Sequence, residues 1–541
     1  MADTPSTAAG QFDVRLIMLS LIGILLSILL AALEQTVVGT ALPRVVADLG
    51  GFEHYSWVFS AYLFTSTAIT PVAGKLSDLF GRKRLIAIGI IGFLVGSALC
   101  GGAGTMLQLV LFRAFQGLGA GVLTAAAFAA IGDLFPPAER GKYQGLVVGV
   151  FGLASLFGPT LGGYLTDTVG WRWVFWLNLP VGGTALAVLL ATFPAQAGPS
   201  RRRQIDYAGA VLVTAATLPL LLALVWAGSV FPWASPQVLG LLGLAAVLYG
   251  LFGWVERRAA EPILPPELLR DRIIVVGLVV VTLSGMAMYG LIVYLPLFVQ
   301  GVLGLSPTEA GAVMTPLTLA VVVSNITSGQ LIARTGRYRR IALGGLALLA
   351  FGVGLLVLMS PATTAATMLR NEIVAGLGLG FIFPVFTIAL QNTAPHSRLG
   401  VVTSALQFCR SIGATLGVAL MGSLLASRFT VEMVQRLPAG LEGQLGDAGW
   451  AELLNPQMLV QPGQAEAVRE TFVRLGPPAS LVADSIVGSQ RVALAGALHD
   501  AFLLLLGVSV VAFTATLFLR EIPLRRSHEP TPAVLLAEAE V

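Results

Sequence analysis

Fourteen apolar runs of about 20 residues alternate with short polar stretches along the chain. The runs are continuous and do not alternate residue by residue. They therefore predict helices that bury all their backbone polar groups internally, as lipid requires. The expected spans are 16–40, 55–74, 85–103, 107–131, 143–165, 173–193, 207–226, 237–255, 273–299, 308–332, 341–360, 365–391, 401–426 and 497–519. A polar interval, 427–496, is far longer than the other connections.

Composition agrees with a bilayer solvent. Of 541 residues, 56% are hydrophobic and 11% charged, against about 25% charged in a soluble domain. The first 14 residues lack a basic stretch, so a cleavable signal peptide is not expected. Arg82, Lys83, Arg84, Arg140, Lys142, Arg201, Arg202, Arg203, Arg257, Arg258, Arg270, Arg272, Arg334, Arg337, Arg339, Arg340, Arg398, Arg520, Arg525 and Arg526 fall on one side if the N-terminus is inside. That distribution predicts cytoplasmic termini in a multi-pass protein of the inner, cytoplasmic membrane. The net charge of +4 then reflects topology and gives no reason to expect nucleic-acid binding.

Several chemistries find no support. Cys100 and Cys409 both lie within helices and offer no disulfide framework. His54, His396, His499 and His528 have no metal-ligand spacing. No phosphate-binding Gly-x-x-x-x-Gly-Lys-Ser/Thr loop occurs, and no Ser-His-Asp or Cys-His arrangement. Enzymatic activity and a bound cofactor are not expected.

The chain repeats itself. Gly74-x-Leu76 with Gly81-Arg82 returns as Gly329-x-Leu331 with Gly336-Arg337. Gly117-x-Gly119-x-Gly121 returns as Gly376-x-Gly378-x-Gly380, and Arg140 as Arg398. Near-constant offsets mark two six-helix halves with two helices inserted between them. The expected divisions are 1–194 for the first bundle and 195–272 for two linking helices and their connectors. The first five helices of the second bundle take 273–426, an extracytoplasmic insertion 427–496, the last helix 497–520 and a cytoplasmic tail 521–541. The connector near Pro262–Pro266 reads as an amphipathic inner-surface stretch.

Charges inside apolar helices are costly and mark functional positions by default. Glu34, Arg113, Glu372 and Arg410 are such charges. Glu34 and Arg113 are expected at similar depth. Glu372 sits at the repeat position of Arg113, and it and Arg410 are free to pair with each other or with the first-half charges. Gln35, Glu34, Glu372 and Arg410 are the candidates for a substrate cavity.

Gly74-Lys75-Leu76-Ser77-Asp78-Leu79-Phe80-Gly81-Arg82-Lys83-Arg84 resembles the loop signature of the major facilitator superfamily. Leu33 to Pro43, with Glu34 in place of the usual Asp, Leu111 to Gly121 around Arg113, and Ala154 to Gly163 resemble motifs of its fourteen-helix drug:proton antiporters. The resemblance implies an all-α integral membrane protein of the major facilitator fold, with two six-helix bundles and two extra central helices. It implies proton-coupled export of amphipathic small molecules, cations among them, by alternating access, with Glu34 and Arg113 coupling protons. Gly74, Asp78, Gly81, Arg82 and Lys83 would latch the inner side. Gly158, Pro159, Gly162 and Gly163 would bend the fifth helix and seal it against proton leak. The partners implied are substrate, protons and membrane lipids, with no cofactor beyond the proton gradient. The 427–496 insertion is a candidate surface for a periplasmic partner that the mechanism does not require. A lipid or metabolite exporter, or a receptor on this scaffold, are the alternative readings.

Overall fold

The computed structural model describes residues 14–50, 55–135, 137–194, 206–228, 230–305, 307–395, 398–436, 454 and 479–524. The first half contains α1 (Val14–Leu49), α2 (Tyr55–Phe80), α3 (Arg82–Gly101), α4 (Met106–Leu134), α5 (Pro137–Thr168), the short α6 (Arg172–Trp176) and α7 (Asn178–Thr192). Two helices follow, α8 (Tyr207–Trp226) and α9 (Pro236–Glu256). The second half contains α10 (Arg272–Leu297), α11 (Pro307–Thr335), α12 (Arg339–Val357), α13 (Ala365–Thr393), α14 (Leu399–Arg436) and α15 (Ala479–Leu517). Among the described residues, twelve segments are long and apolar enough to cross a membrane. The expected spans in α2 and α5, helices of 26 and 32 residues packed within the bundle, are not among the twelve.

The helices outrun the apolar runs that announced them. α1 continues to Leu49, and α14 continues past 426 to Arg436. α15 starts at Ala479, so the end of the stretch expected as an extracytoplasmic insertion is instead the start of the last helix. Apart from residue 454, residues 437–478 of that stretch lie outside the described residues. Once backbone hydrogen bonds propagate, a helix extends into polar sequence at little cost per residue.

The repeat is visible in three dimensions. In the first half α2 and α3 pack on α4; in the second, α11 and α12 pack on α13. The glycine triplets make this close packing possible. A Cβ at Gly117 or Gly121 would strike the α2 backbone at Tyr62 and Ser66, and one at Gly119 would strike α3 at Phe93. Gly376 and Gly380 face α11 in the same way, and Gly378 faces Leu349 of α12. Small residues at such seams bring the backbones together where dispersion is strongest.

The halves meet where α2 packs on α14 and α5 on α11. The α8–α9 pair lies alongside, with α8 against both α2 and α14. Its far turn is tied to α14 by Trp233 Nε1, which donates to Ser423 Oγ at 2.9 Å. After α9 the chain is pulled back on itself. The Glu256 carboxylate accepts the N–H groups of Ile263 and Leu264, both at 3.1 Å. Ile263 is thereby buried among Val72, Val213 and Phe252. The connector then touches both halves: Lys75 Nζ lies 2.5 Å from Glu261 Oε2, and Arg398 Nη1 lies 2.8 Å from Glu267 Oε2.

Candidate functional site

The second half has one continuous cluster of buried apolar side chains, whereas the first half has separate ones. Polar side chains lie among them. Glu34 on α1 is 1% exposed and Arg113 on α4 is fully buried. Arg113 Nη1 donates to Glu34 Oε1 at 2.6 Å and to Gln116 Oε1 at 2.8 Å. Its Nε donates to the Val58 carbonyl at 3.0 Å, and the Tyr62 ring centre lies 4.3 Å from the guanidinium. Asn178 Nδ2 donates to Glu34 Oε2 at 2.5 Å and to Ser97 Oγ at 3.0 Å. Gln116 Nε2 donates to the same hydroxyl at 2.7 Å. Glu34 therefore does not reach toward either surface; its carboxylate is held by helices α4 and α7. Such burial is sustainable because both oxygens meet donors and the opposite charge lies within contact.

Sequence reasoning put Glu34 and Arg113 at similar depth but missed Gln116, Ser97 and Asn178. Gln116 carried a usable signal, since it stands three residues after Arg113 on the same helical face. Ser97 and Asn178 carried none. Each is an ordinary polar residue until packing turns it toward the carboxylate.

The other cavity candidates are dispersed. Gln35 is exposed on α1. Glu372 is fully buried on α13, and neither of its carboxyl oxygens meets a partner among the described residues. Arg410 sits between the halves, 6.0 Å from the Phe128 ring centre on α4 and 5.5 Å from that of Phe383 on α13. The structure does not pair Glu372 with Arg410.

The expected latch forms one buried cluster. Gly81 adopts φ +89°, a left-handed turn that separates α2 from α3 and favours glycine. Arg82 pairs with Asp78, donates to Ser77 Oγ, and through Nε meets Asp133 Oδ2 at 2.7 Å. Asp78 also reaches the other half: its two oxygens accept the N–H groups of Gly400 and Val401, both at 2.9 Å. Those are the first turn of α14, where unpaired N–H groups and the helix dipole favour an anion. Gly74 allows this approach, because a Cβ there would collide with Ser404 and come 2.6 Å from the Gly400 carbonyl. Lys83 is used differently, donating to the Phe193 carbonyl at the end of α7 at 2.9 Å.

In α5, Gly158 and Gly162 are buried and Pro159 lies within the helix. Gly163 has open space where a side chain would go. α11 approaches α5 nearer Gly152, where a Cβ would lie 3.2 Å from Val322. Trp171 is buried and donates to Asp48 Oδ2 at 2.9 Å, while Trp173 stands exposed.

Two repeated helical halves with charges buried among helices long and apolar enough to span a bilayer form the frame of a multi-pass membrane transporter. The chain belongs to the major facilitator superfamily, whose family model matches residues 24–418. It is 36% identical over 512 residues to the multidrug transporter protein MdtP of Bacillus subtilis, covering 93% of each chain. It is 34% identical over 528 residues to multidrug resistance protein 3 of the same organism, covering 97% of this chain and 99% of that one. The human organic anion transporter MFSD10 shares the fold, with a TM-score of 0.56 at 13% identity over 92% of this chain and 99% of that one.

Proposed function

We propose that this protein exports amphipathic, cationic small molecules from the cytoplasm in exchange for protons, with the latch end and both termini cytoplasmic. The relatives named for multidrug transport and resistance support export of small molecules. The observation that carries the coupling step is the buried contact between Glu34 and Arg113.

In this arrangement the latch end is closed by Asp78 on α14, and the Glu34 carboxylate is committed to Arg113 and Asn178. A proton delivered to Glu34 from the opposite end cancels that attraction. Arg113 keeps Val58 and Gln116 as acceptors and Tyr62 as a stacking surface, so it need not move into lipid. The α1–α4 contact then loosens and the halves can rock. Opening at the latch end breaks the Asp78 bonds, exposes Glu34 to the cytoplasm and lets the proton leave. Cargo binds between the halves, and the next proton drives its release outside. One proton exchanged for a neutral cargo moves one net charge, worth about 2.3 kcal/mol per 100 mV; exchange for a singly charged cation is electroneutral and draws on the pH difference alone.

The test is proton release and dye efflux from the same proteoliposomes, comparing the parent with Glu34→Gln. The reading expects downhill dye exchange to persist while dye-induced proton release disappears. Undiminished proton release in the variant removes Glu34 from the coupling step.

A further inference from the structure

The duplicated latch has lost its acids in the second half. In the first copy Arg82 is enclosed by Asp78 and Asp133. In the second, the turn is preserved, with Gly336 at φ +66° followed by Arg337. The position matching Asp78 is Ala333. By the glycine-triplet offset, the position matching Asp133 is Asn392. Arg337 is exposed, as are Arg334 and Arg340, and none of the three forms an ion pair among the described residues.

The chain beyond α15 folds across this site. Tyr338 Oη donates to the Arg520 carbonyl at 3.0 Å and accepts the Ile522 N–H at 2.9 Å. Asn392 Nδ2 donates to the Pro523 carbonyl at 3.1 Å. Between this strap and the turn lies a cavity of about 490 Å³, lined by residues 333–337 and 521–524, with Ala333 on its wall. A second cavity of about 380 Å³ adjoins it, lined by Thr335, Arg337, Arg340 and Ile341. The acidic residue on these walls, Glu521, already accepts the Arg339 N–H at 3.3 Å. Leu331, Leu517 and Phe518 stand exposed on the adjoining helix ends.

We propose that this cavity binds the phosphate headgroup of an anionic membrane phospholipid, held by Arg334, Arg337 and Arg340, with its acyl chains along Leu331, Leu517 and Phe518. Guanidinium groups match phosphate oxygens in charge and geometry. Basic pockets at membrane helix ends hold such headgroups. The lipid phosphate supplies the negative charge that Asp78 and Asp133 supply in the first copy. The second half is thus anchored to the leaflet at the point where the first half is latched to its neighbour. This inference needs the membrane location alone and stands or falls apart from proton coupling.

The experiment is native mass spectrometry of the full chain released from nanodiscs of phosphatidylcholine with phosphatidylglycerol. The parent should retain phosphatidylglycerol preferentially. The triple variant R334Q/R337Q/R340Q should lower that retention about tenfold or more. Ala333→Asp, which restores the missing carboxylate beside Arg337 at an exposed position, should do the same in a folded protein. Arg436→Gln, on the far end of α14, should leave it unchanged. Equal retention by the parent and both cavity variants overturns the proposal. Displacement of the lipid by millimolar inorganic phosphate or glycerol phosphate also overturns it, in favour of a free-phosphate site.

Discussion

The Asp78 carboxylate binds the N–H of Gly400 at 2.9 Å, joining the end of α2 to the start of α14 across 322 residues of chain. A side chain of the first half thus closes the helix terminus of the second. Charged hydrogen bonds of this kind contribute about 1.5–3 kcal/mol each. Asp78→Asn should open the latch end. A cysteine placed at buried Ser404 should then react with a soluble thiol reagent about tenfold faster; an unchanged rate argues against the contact as a closing device.

The close approach of α2 to α14 also depends on the absence of a side chain. Gly74→Ala would drive its methyl into Ser404 and toward the Gly400 carbonyl. It should mimic Asp78→Asn in the same labelling assay. Gly243→Ala on α9, facing open space, should leave both labelling and transport as they were.

The buried ion pair predicts a double-mutant signature. Removing one member leaves the other charge unpaired, at a cost of about 3–5 kcal/mol. Glu34→Gln and Arg113→Gln should each lower thermal stability in detergent. The combined neutral pair should be more stable than either single variant, yet still uncoupled. Additive losses would show that the two side chains do not act on each other.

Glu372 gives the opposite expectation. Neither carboxyl oxygen meets a donor among the described residues, so Glu372→Gln should fold and melt like the parent. Its effect should appear as altered relative efflux of doubly and singly charged dyes. A strong loss of stability would reveal a partner for this group.

The Glu267–Arg398 bridge tests the connector through pH. The Arg398 hydrogen bond, aided by its charge, holds the Glu267 carboxyl below the ordinary carboxylate value. The bridge is therefore complete above that ordinary value, about 4.3, and is lost as pH falls through the lowered one. Because both groups are exposed, Glu267→Gln should leave melting at neutral pH unchanged, and moderate salt should weaken the bridge. A nitroxide pair across the connector and α14 should separate only in acid. Separation already at neutral pH would contradict the bridge.

The helices were legible because lipid imposes one rule on every spanning segment. A sequence that must satisfy its own backbone shows it as a long apolar run. The turns at Gly81 and Gly336 were legible too, since a left-handed residue between two helices favours glycine. The helix ends were less legible, as α15 shows by starting in polar sequence at Ala479. Ser97 and Asn178 were not legible as site residues. Nothing in a lone serine or asparagine says that it faces a carboxylate on another helix.

By itself the sequence determined a membrane-embedded, twice-repeated helical chain with a few costly charges in its interior. Hydrophobicity, glycine and internal repetition are local properties and survive being read one residue at a time. Tertiary structure alone decided that Glu34 meets Arg113 while Glu372 meets no partner among the described residues, and that Asp78 crosses to α14 while Ala333 leaves Arg337 facing a cavity. The reason is geometric. Which groups touch depends on how each helix is rotated and how closely it packs, and backbone hydrogen bonds that run only within a helix leave both undetermined.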